Sequence, residues 1–130
     1  GSARLKEKEL NAAIAEGIGE GCLNLSGQTS LLELASLLRH CHLLVTNDTG
    51  TMHVAAAVGT RVAAIFGPTD PRTTSPLGEG HVIIRAEVPC SPCLKRVCPE
   101  DHRCMDLIEV EQVYNTIRAQ FDRKASLVQR

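Results

Sequence analysis

Aromatic residues are scarce in this 130-residue chain, which contains no Trp, one Tyr and two Phe. Proteins that bind single-stranded nucleic acids usually stack the bases on aromatic rings, so this shortage argues against that class. Charge of one sign is also lacking, because 14 Lys and Arg balance 15 Asp and Glu and leave a formal net charge of -1. Such a chain has no field that would attract a phosphate backbone. We therefore expect no nucleic-acid partner.

Long apolar runs are missing as well. No stretch reaches the roughly 18 apolar residues that a membrane-spanning helix needs, and residues 1–10 are too polar for a secretion signal. We therefore expect a cytoplasmic protein. Hydrophobic residues still make up 43% of the chain, enough for an aliphatic core in one domain.

The spacing of apolar residues predicts alternating helices and strands. The predicted helices cover residues 7–18, the segment from Ser30 onward, residues 52–58 and the segment after Asp106, which would cap it. The predicted strands cover residues 22–25, 43–46, 62–66 and 82–84, and residues 71–80 are predicted to form a loop. Ser30 and Glu33 have the spacing of a capping box. The pattern indicates an α/β fold with a parallel sheet and helices on both faces.

One junction combines several features of a ligand site, namely Thr46-Asn47-Asp48-Thr49-Gly50-Thr51-Met52-His53. Ligands of open α/β sheets bind at the carboxyl ends of strands, and a helix N-terminus suits a phosphate. Gly50 has no Cβ, the threonine hydroxyls are donors, and His53 falls in the first turn. The residues alone leave a second interpretation open, in which Asp48 or Thr49 merely caps the helix.

Four cysteines cluster near the end of the chain with the spacing C-x2-C-x4-C-x5-C: Cys90, Cys93, Cys98 and Cys104. Such sulfurs could hold zinc or an iron–sulfur centre, with His102 as an alternative nitrogen ligand. Two local disulfides or four free thiols are the other interpretations. Cys22 and Cys41 stand in apolar surroundings and are expected to be buried.

Much of the chain resembles glycosyltransferase family 9, the heptosyltransferases of lipopolysaccharide core assembly. The residues that carry the resemblance lie in the segments 25–31, 45–57, 65–71 and 75–78. It implies a GT-B enzyme with two Rossmann-like domains that face a cleft. Residues 1–130 then correspond to most of the C-terminal nucleotide-sugar-binding domain, with a Cys-rich segment at 90–104. The sheet would lack its first two strands, so we expect a fragment of a longer polypeptide.

The resemblance also implies roles for individual residues. Asp48, Thr49, Gly50 and His53 would face the diphosphate and the transferred sugar. Thr29 would lie against the base, and an acidic residue near Glu7 would bind the ribose. The catalytic base would belong to the missing N-terminal domain, so this chain alone is expected to bind donor weakly and to transfer nothing.

The function implied by the resemblance is inverting transfer of heptose or a related sugar from a nucleotide-diphosphate donor, foremost ADP-heptose. The acceptor would be a lipid-linked saccharide at the inner face of the inner membrane. Transfer would need no cofactor, and any zinc or iron–sulfur centre at the cysteines would be structural. A nucleotide-sugar epimerase of the same fold and a metal-binding interaction module built on the cysteines are the alternatives.

Overall fold

The computed structural model describes the backbone of residues 2–128 and the side chains of residues 5–122. The chain divides into two compact units, Gly1–Leu37 and Leu38–Arg130. Its elements in chain order are α1 (Ser2–Ile18), α2 (Leu31–Arg39), β1 (Leu43–Asn47), α3 (Gly50–Ala57), β2 (Arg61–Phe66), α4 (Pro71–Thr74), β3 (Val82–Arg85), α5 (Arg103–Asp106) and α6 (Val110–Val128).

The capping box predicted at the start of α2 is confirmed. The Glu33 amide donates to Ser30 Oγ at 3.3 Å, and the Ser30 amide donates to Glu33 Oε2 at 2.7 Å. The hydrogen bonds from Ser30 hold the pKa of the Glu33 carboxyl below its ordinary value. Two backbone amides at the helix start are therefore satisfied by side chains, which explains why α2 begins at Leu31.

The strand predicted for residues 22–25 is wrong, because this segment is irregular and leads into a turn. The Asn24 side chain accepts from the Ser26 amide, and the Gln28 amide bonds to the Leu25 carbonyl. Asn side chains favour such turns over strands because they bond to the backbone nearby. Apolar side chains of this unit are also more exposed than their periodicity suggests: Leu10, Ile14, Ile18, Leu23, Leu31 and Leu32.

The second unit contains a three-stranded parallel sheet with the order β1-β2-β3. Val45 pairs with Ala63 in the first ladder, and Ile65 pairs with Ile84 in the second. The central strand β2 has four fully buried residues, Val62, Ala63, Ala64 and Phe66. This burial explains its continuous apolar sequence. The predicted parallel α/β fold is confirmed, with three strands in the described chain rather than four.

Helix α3 connects β1 to β2 and packs through Met52 and Ala55, both of which are fully buried. It ends at Ala57, and Gly59 follows with a φ of +84°, in the left-handed region that favours glycine. The next residue, Thr60, is buried and donates its hydroxyl to the Leu38 carbonyl at 2.6 Å. This unit thus forms a βαβ arrangement that brings the start of α3 to the carboxyl end of the sheet.

Two predicted boundaries differ from the structure. The predicted loop 71–80 begins with the short helix α4, because Asp70 caps it and Pro71 occupies its first position. Asp106 does not cap the last helix; it ends α5, and α6 begins at Val110. In the part of the chain that the structure describes, no helix is both long and apolar enough to cross a membrane.

Candidate functional site

The candidate site begins where β1 leaves the sheet. The Asp48 amide donates to the Ile65 carbonyl at 3.2 Å, so the pairing of β1 with β2 continues one residue beyond Asn47. Helix α3 then starts at Gly50. Asp48, Thr49 and Gly50 are therefore held at the carboxyl edge of a parallel sheet, where open α/β folds bind their ligands.

The N-terminus of α3 has no side-chain cap. Thr49 occupies the cap position in an extended conformation, with φ of −142°, but its hydroxyl makes no capping hydrogen bond. The Asp48 carboxylate turns elsewhere and accepts from Thr74 Oγ1 at 3.2 Å. The interpretation in which Asp48 or Thr49 serves only as a cap is therefore wrong. The Met52 amide donates to the Thr49 carbonyl at 3.1 Å, whereas the Gly50 and Thr51 amides remain available to a ligand or to water.

Gly50 faces open space. A Cβ at this position would meet no heavy atom within 4 Å outside the local chain, and the backbone does not adopt the left-handed conformation that favours glycine. Neither packing nor backbone geometry of this chain therefore demands glycine here. The bare backbone at the helix start lets a ligand approach the amides closely.

His53 lies in the first turn of α3 and is exposed. It lines a cavity of about 380 Å³ together with Ala56, Ala57, Leu77 and Gly78. Leu77 is bonded in turn to His81, whose Nδ1 accepts from the Val62 amide at 3.1 Å. Its Nε2 then carries the proton and donates to the Leu77 carbonyl at 3.0 Å. His53 thus borders a preformed space beside the helix start.

The structure brings together only part of the predicted site. Asp48, Thr49, Gly50 and His53 lie on one strand–helix junction in the second unit. Thr29 and Glu7 are exposed residues of the first unit, and their assignment to the base and the ribose stays a prediction. Thr74 was not predicted from the sequence, because its contact with Asp48 joins residues 26 positions apart. The sequence Asp70-Pro71, which is typical of a helix start, could have predicted the short helix that carries Thr74.

The four clustered cysteines line one cavity of about 300 Å³. Burial raises the pKa of the Cys104 thiol, and the nearby sulfurs of Cys90, Cys93 and Cys98 act in the same direction. The Cys98 sulfur accepts from the His102 amide at 3.4 Å. None of the six cysteines, all of which lie within residues 5–122, forms a disulfide bond. Among residues 5–122, no three His, Cys, Asp or Glu side chains stand in an arrangement that could hold a metal ion.

The two remaining cysteines are less buried than predicted. Cys22 is half-buried and Cys41 is exposed, so the expectation that both are buried is wrong. The segment containing Cys22 is irregular rather than a core strand, and Cys41 lies two residues beyond the end of α2. Apolar neighbours in sequence therefore did not translate into burial at either position.

Comparison with known proteins identifies a family and several relatives. The model of glycosyltransferase family 9 (heptosyltransferase) matches residues 1–103. Lipooligosaccharide heptosyltransferase 2 of Haemophilus influenzae is 45% identical over 78 residues, which is 60% of this chain and 22% of that protein. Lipopolysaccharide heptosyltransferase 1 of Pseudomonas aeruginosa is 33% identical over 106 residues, which is 78% of this chain and 29% of that protein. The chain thus spans about a quarter of the length of these relatives.

A solved structure is also similar. The structure of E. coli ADP-heptose lps heptosyltransferase II matches 92% of this chain with a TM-score of 0.74 and 28% sequence identity. The match covers 35% of that structure. The similarity therefore extends over nearly the whole chain.

Proposed function

Since the chain belongs to glycosyltransferase family 9, we propose that residues 1–130 form most of the C-terminal, donor-binding domain of an inverting heptosyltransferase. The observation that carries the proposal is the start of α3. Its amides have no side-chain cap, they lie at the carboxyl edge of a parallel sheet, and Gly50 leaves them open. The exposed aliphatic side chains of α1 and α2 support a longer enzyme, in which further polypeptide covers them.

The residues of the junction divide between the two parts of a nucleotide-sugar donor. The amides at the start of α3 carry partial positive charge and suit the diphosphate, together with the hydroxyl of Thr49 and a ring N–H of His53. The carboxylate of Asp48 accepts hydrogen bonds and repels phosphate, so it suits the hydroxyl groups of the transferred sugar. Thr29 binds the base, and Glu7 binds the ribose hydroxyls.

In the proposed reaction, an acceptor hydroxyl attacks the anomeric carbon of the donor sugar from the face opposite the diphosphate. The bond from that carbon to the acceptor oxygen forms while its bond to the phosphate oxygen breaks, and the configuration inverts. The acceptor proton passes to a base in the N-terminal domain, which these 130 residues do not include. Negative charge grows on the leaving diphosphate, and fixed donors at the α3 start stabilise it most at that moment.

We propose ADP-heptose as the donor and the saccharide of a lipopolysaccharide core as the acceptor. The names of the relatives support this choice, because they describe heptosyltransferases of lipopolysaccharide or lipooligosaccharide, and the similar solved structure is named for ADP-heptose. A lipid-linked acceptor places the enzyme at the inner face of the inner membrane. The same names favour transfer over the epimerase and over the metal-binding module.

The proposed transfer needs no cofactor, and we assign the cysteine cluster a separate, structural role as a zinc or iron–sulfur centre. Its support is that Leu94 and Val97 of this segment are largely exposed, while the four cysteines line one cavity and Cys104 is buried. Such a segment lacks an apolar core of its own, and metal ligation can replace that core. The sulfurs would have to move closer together on binding, because no three His, Cys, Asp or Glu side chains of the described residues are now placed to hold a metal ion.

The experiment that tests the proposed function is a transfer assay with the full-length enzyme, ADP-heptose and a core saccharide that lacks heptose. We expect release of ADP and a heptosylated product of inverted anomeric configuration. A product of retained configuration would contradict the mechanism. The absence of transfer from ADP-heptose, with transfer from another nucleotide sugar, would contradict the assignment of the donor.

A further inference from the structure

Thr74 is the residue that contacts the Asp48 carboxylate. Its Oγ1 lies 3.2 Å from Asp48 Oδ2. Asp48 follows β1 and Thr74 ends α4, which follows the neighbouring strand β2. Both side chains are half-buried. The contact therefore ties the proposed sugar-binding carboxylate to the next loop along the carboxyl edge of the sheet.

The position of Thr74 is set by bonds within its own loop. Asp70 starts α4 by accepting from the Arg72 amide at 3.0 Å, and Pro71 fixes the first helical position. The Thr74 amide donates to the Asp70 carbonyl at 3.1 Å, and the Thr73 amide donates to it at 3.0 Å. The Thr74 hydroxyl is thus held in place by the fold itself, before any donor binds.

The side chains of the two threonines of α4 differ by one hydrogen bond. Thr73 Oγ1 and Thr74 Oγ1 lie 3.0 Å and 3.1 Å from the carbonyl oxygen of Asp70. Thr74 Oγ1 alone also meets the Asp48 carboxylate. A hydroxyl has one proton, and hydrogen bonds to an ionised carboxylate are stronger than those to a neutral carbonyl. The proton of Thr74 therefore favours Asp48, and Thr73 provides a matched control.

We propose that Thr74 is a positioning residue that fixes the Asp48 side chain in the orientation needed to bind the hydroxyl groups of the donor sugar. This inference rests on the proposed function of Asp48. Because a carboxylate does not attract phosphate, Thr74 acts on recognition of the sugar and leaves binding of the diphosphate unchanged. Transfer from ADP-heptose and binding of ADP alone must then respond differently to the loss of its hydroxyl.

The test compares Thr74→Val, Thr74→Ser and Thr73→Val in the full-length enzyme. Valine keeps the shape of threonine without the hydroxyl, whereas serine keeps the hydroxyl. We expect Thr74→Val to lower kcat/KM for ADP-heptose about tenfold, while the Kd of ADP changes less than about twofold. Thr74→Ser should recover most of the kcat/KM, and Thr73→Val should leave it within about twofold of the wild type.

Equal effects of Thr74→Val and Thr73→Val would overturn the proposal, because the hydroxyl would then serve only the Asp70 carbonyl. An Asp48→Ala background gives a second test that does not depend on the stability of one variant. Thr74→Val should cause no further loss of kcat/KM there, and a further tenfold loss contradicts the proposal. A wild-type enzyme without affinity for ADP would instead refute the proposed function.

Discussion

Asp70 and Arg72 form a two-point ion pair at the start of α4. Arg72 Nη2 lies 2.7 Å from Asp70 Oδ2, and Arg72 Nε lies 3.0 Å from Asp70 Oδ1. The same carboxylate also caps the helix by accepting from the Arg72 amide. These hydrogen bonds hold the pKa of the Asp70 carboxyl below its ordinary value of 3.8. The ionised form of Asp70 therefore stabilises the loop that carries Thr74.

The first prediction concerns Asp70→Asn, which keeps a capping side chain and removes the charge. A lowered folded-state pKa contributes stability that is complete above the unfolded value and is lost as the pH falls through the folded value. We expect the variant to melt below the wild type at neutral pH, and the difference in Tm to shrink below about pH 3.8. Thermal melts of both proteins from neutral to acid pH measure this difference in Tm. A difference in Tm that persists unchanged in acid would contradict the role of the charge.

The second prediction concerns Asp48→Ala in the full-length enzyme. Because Asp48 does not cap α3 and the variant loses only the hydrogen bond from Thr74, we expect a small fall in Tm, while transfer from ADP-heptose falls about 100-fold through loss of the contacts to the sugar. Asp106→Ala removes an exposed carboxylate from the same chain and should leave transfer unaffected. Activity near the wild-type level in Asp48→Ala would exclude Asp48 from the donor site.

The third prediction concerns the cysteine cluster. Cys90→Ser should remove bound metal and lower the Tm by several degrees, with ADP affinity nearly unchanged, because the proposed centre is structural. Cys22→Ser is the control, since Cys22 is a free, half-buried thiol outside the cluster. The two variants are compared by metal content from mass spectrometry, by thermal melts and by ADP titration.

Wild-type protein prepared without chelator that contains neither zinc nor iron would refute the proposed metal centre. A loss of ADP affinity with no change in Tm would place the cluster in the donor site.

Periodicity was sufficient to predict the elements that depend on local sequence or on complete burial. The apolar runs 43–46 and 62–66 predicted β1 and β2, and Ser30 with Glu33 predicted the start of α2. The strand prediction for residues 22–25 was wrong because it rested on their apolar residues, whereas the Asn24 side chain accepts from the Ser26 amide and favours a turn. Periodicity does not weigh this competition between a side chain and the sheet.

The candidate site was only partly accessible from sequence. Residues 48–53 could be predicted because strand, glycine and helix start follow one another along the chain. The contact between Asp48 and Thr74 depends on the pairing of β1 with β2, which places their following loops side by side. The placement of the four sulfurs around one cavity follows from the turns between them, and spacing alone does not fix those turns.

The central claim, that the α3 start binds the donor diphosphate, is tested most directly by calorimetric titration of ADP into the full-length enzyme and its Gly50→Ala variant. A methyl group at Gly50 meets open space in the protein, so the fold should be kept and its Tm should not fall. Gly59→Ala is the contrasting control, because its left-handed backbone makes alanine strained and lowers the Tm.

We predict that the wild-type enzyme binds ADP more tightly than UDP. Gly50→Ala should raise the Kd of ADP at least about tenfold, because the methyl group blocks close approach to the amides. Gly59→Ala should leave the Kd of ADP unchanged. Absence of ADP binding by the wild type, or equal ADP affinity in Gly50→Ala, would contradict the account.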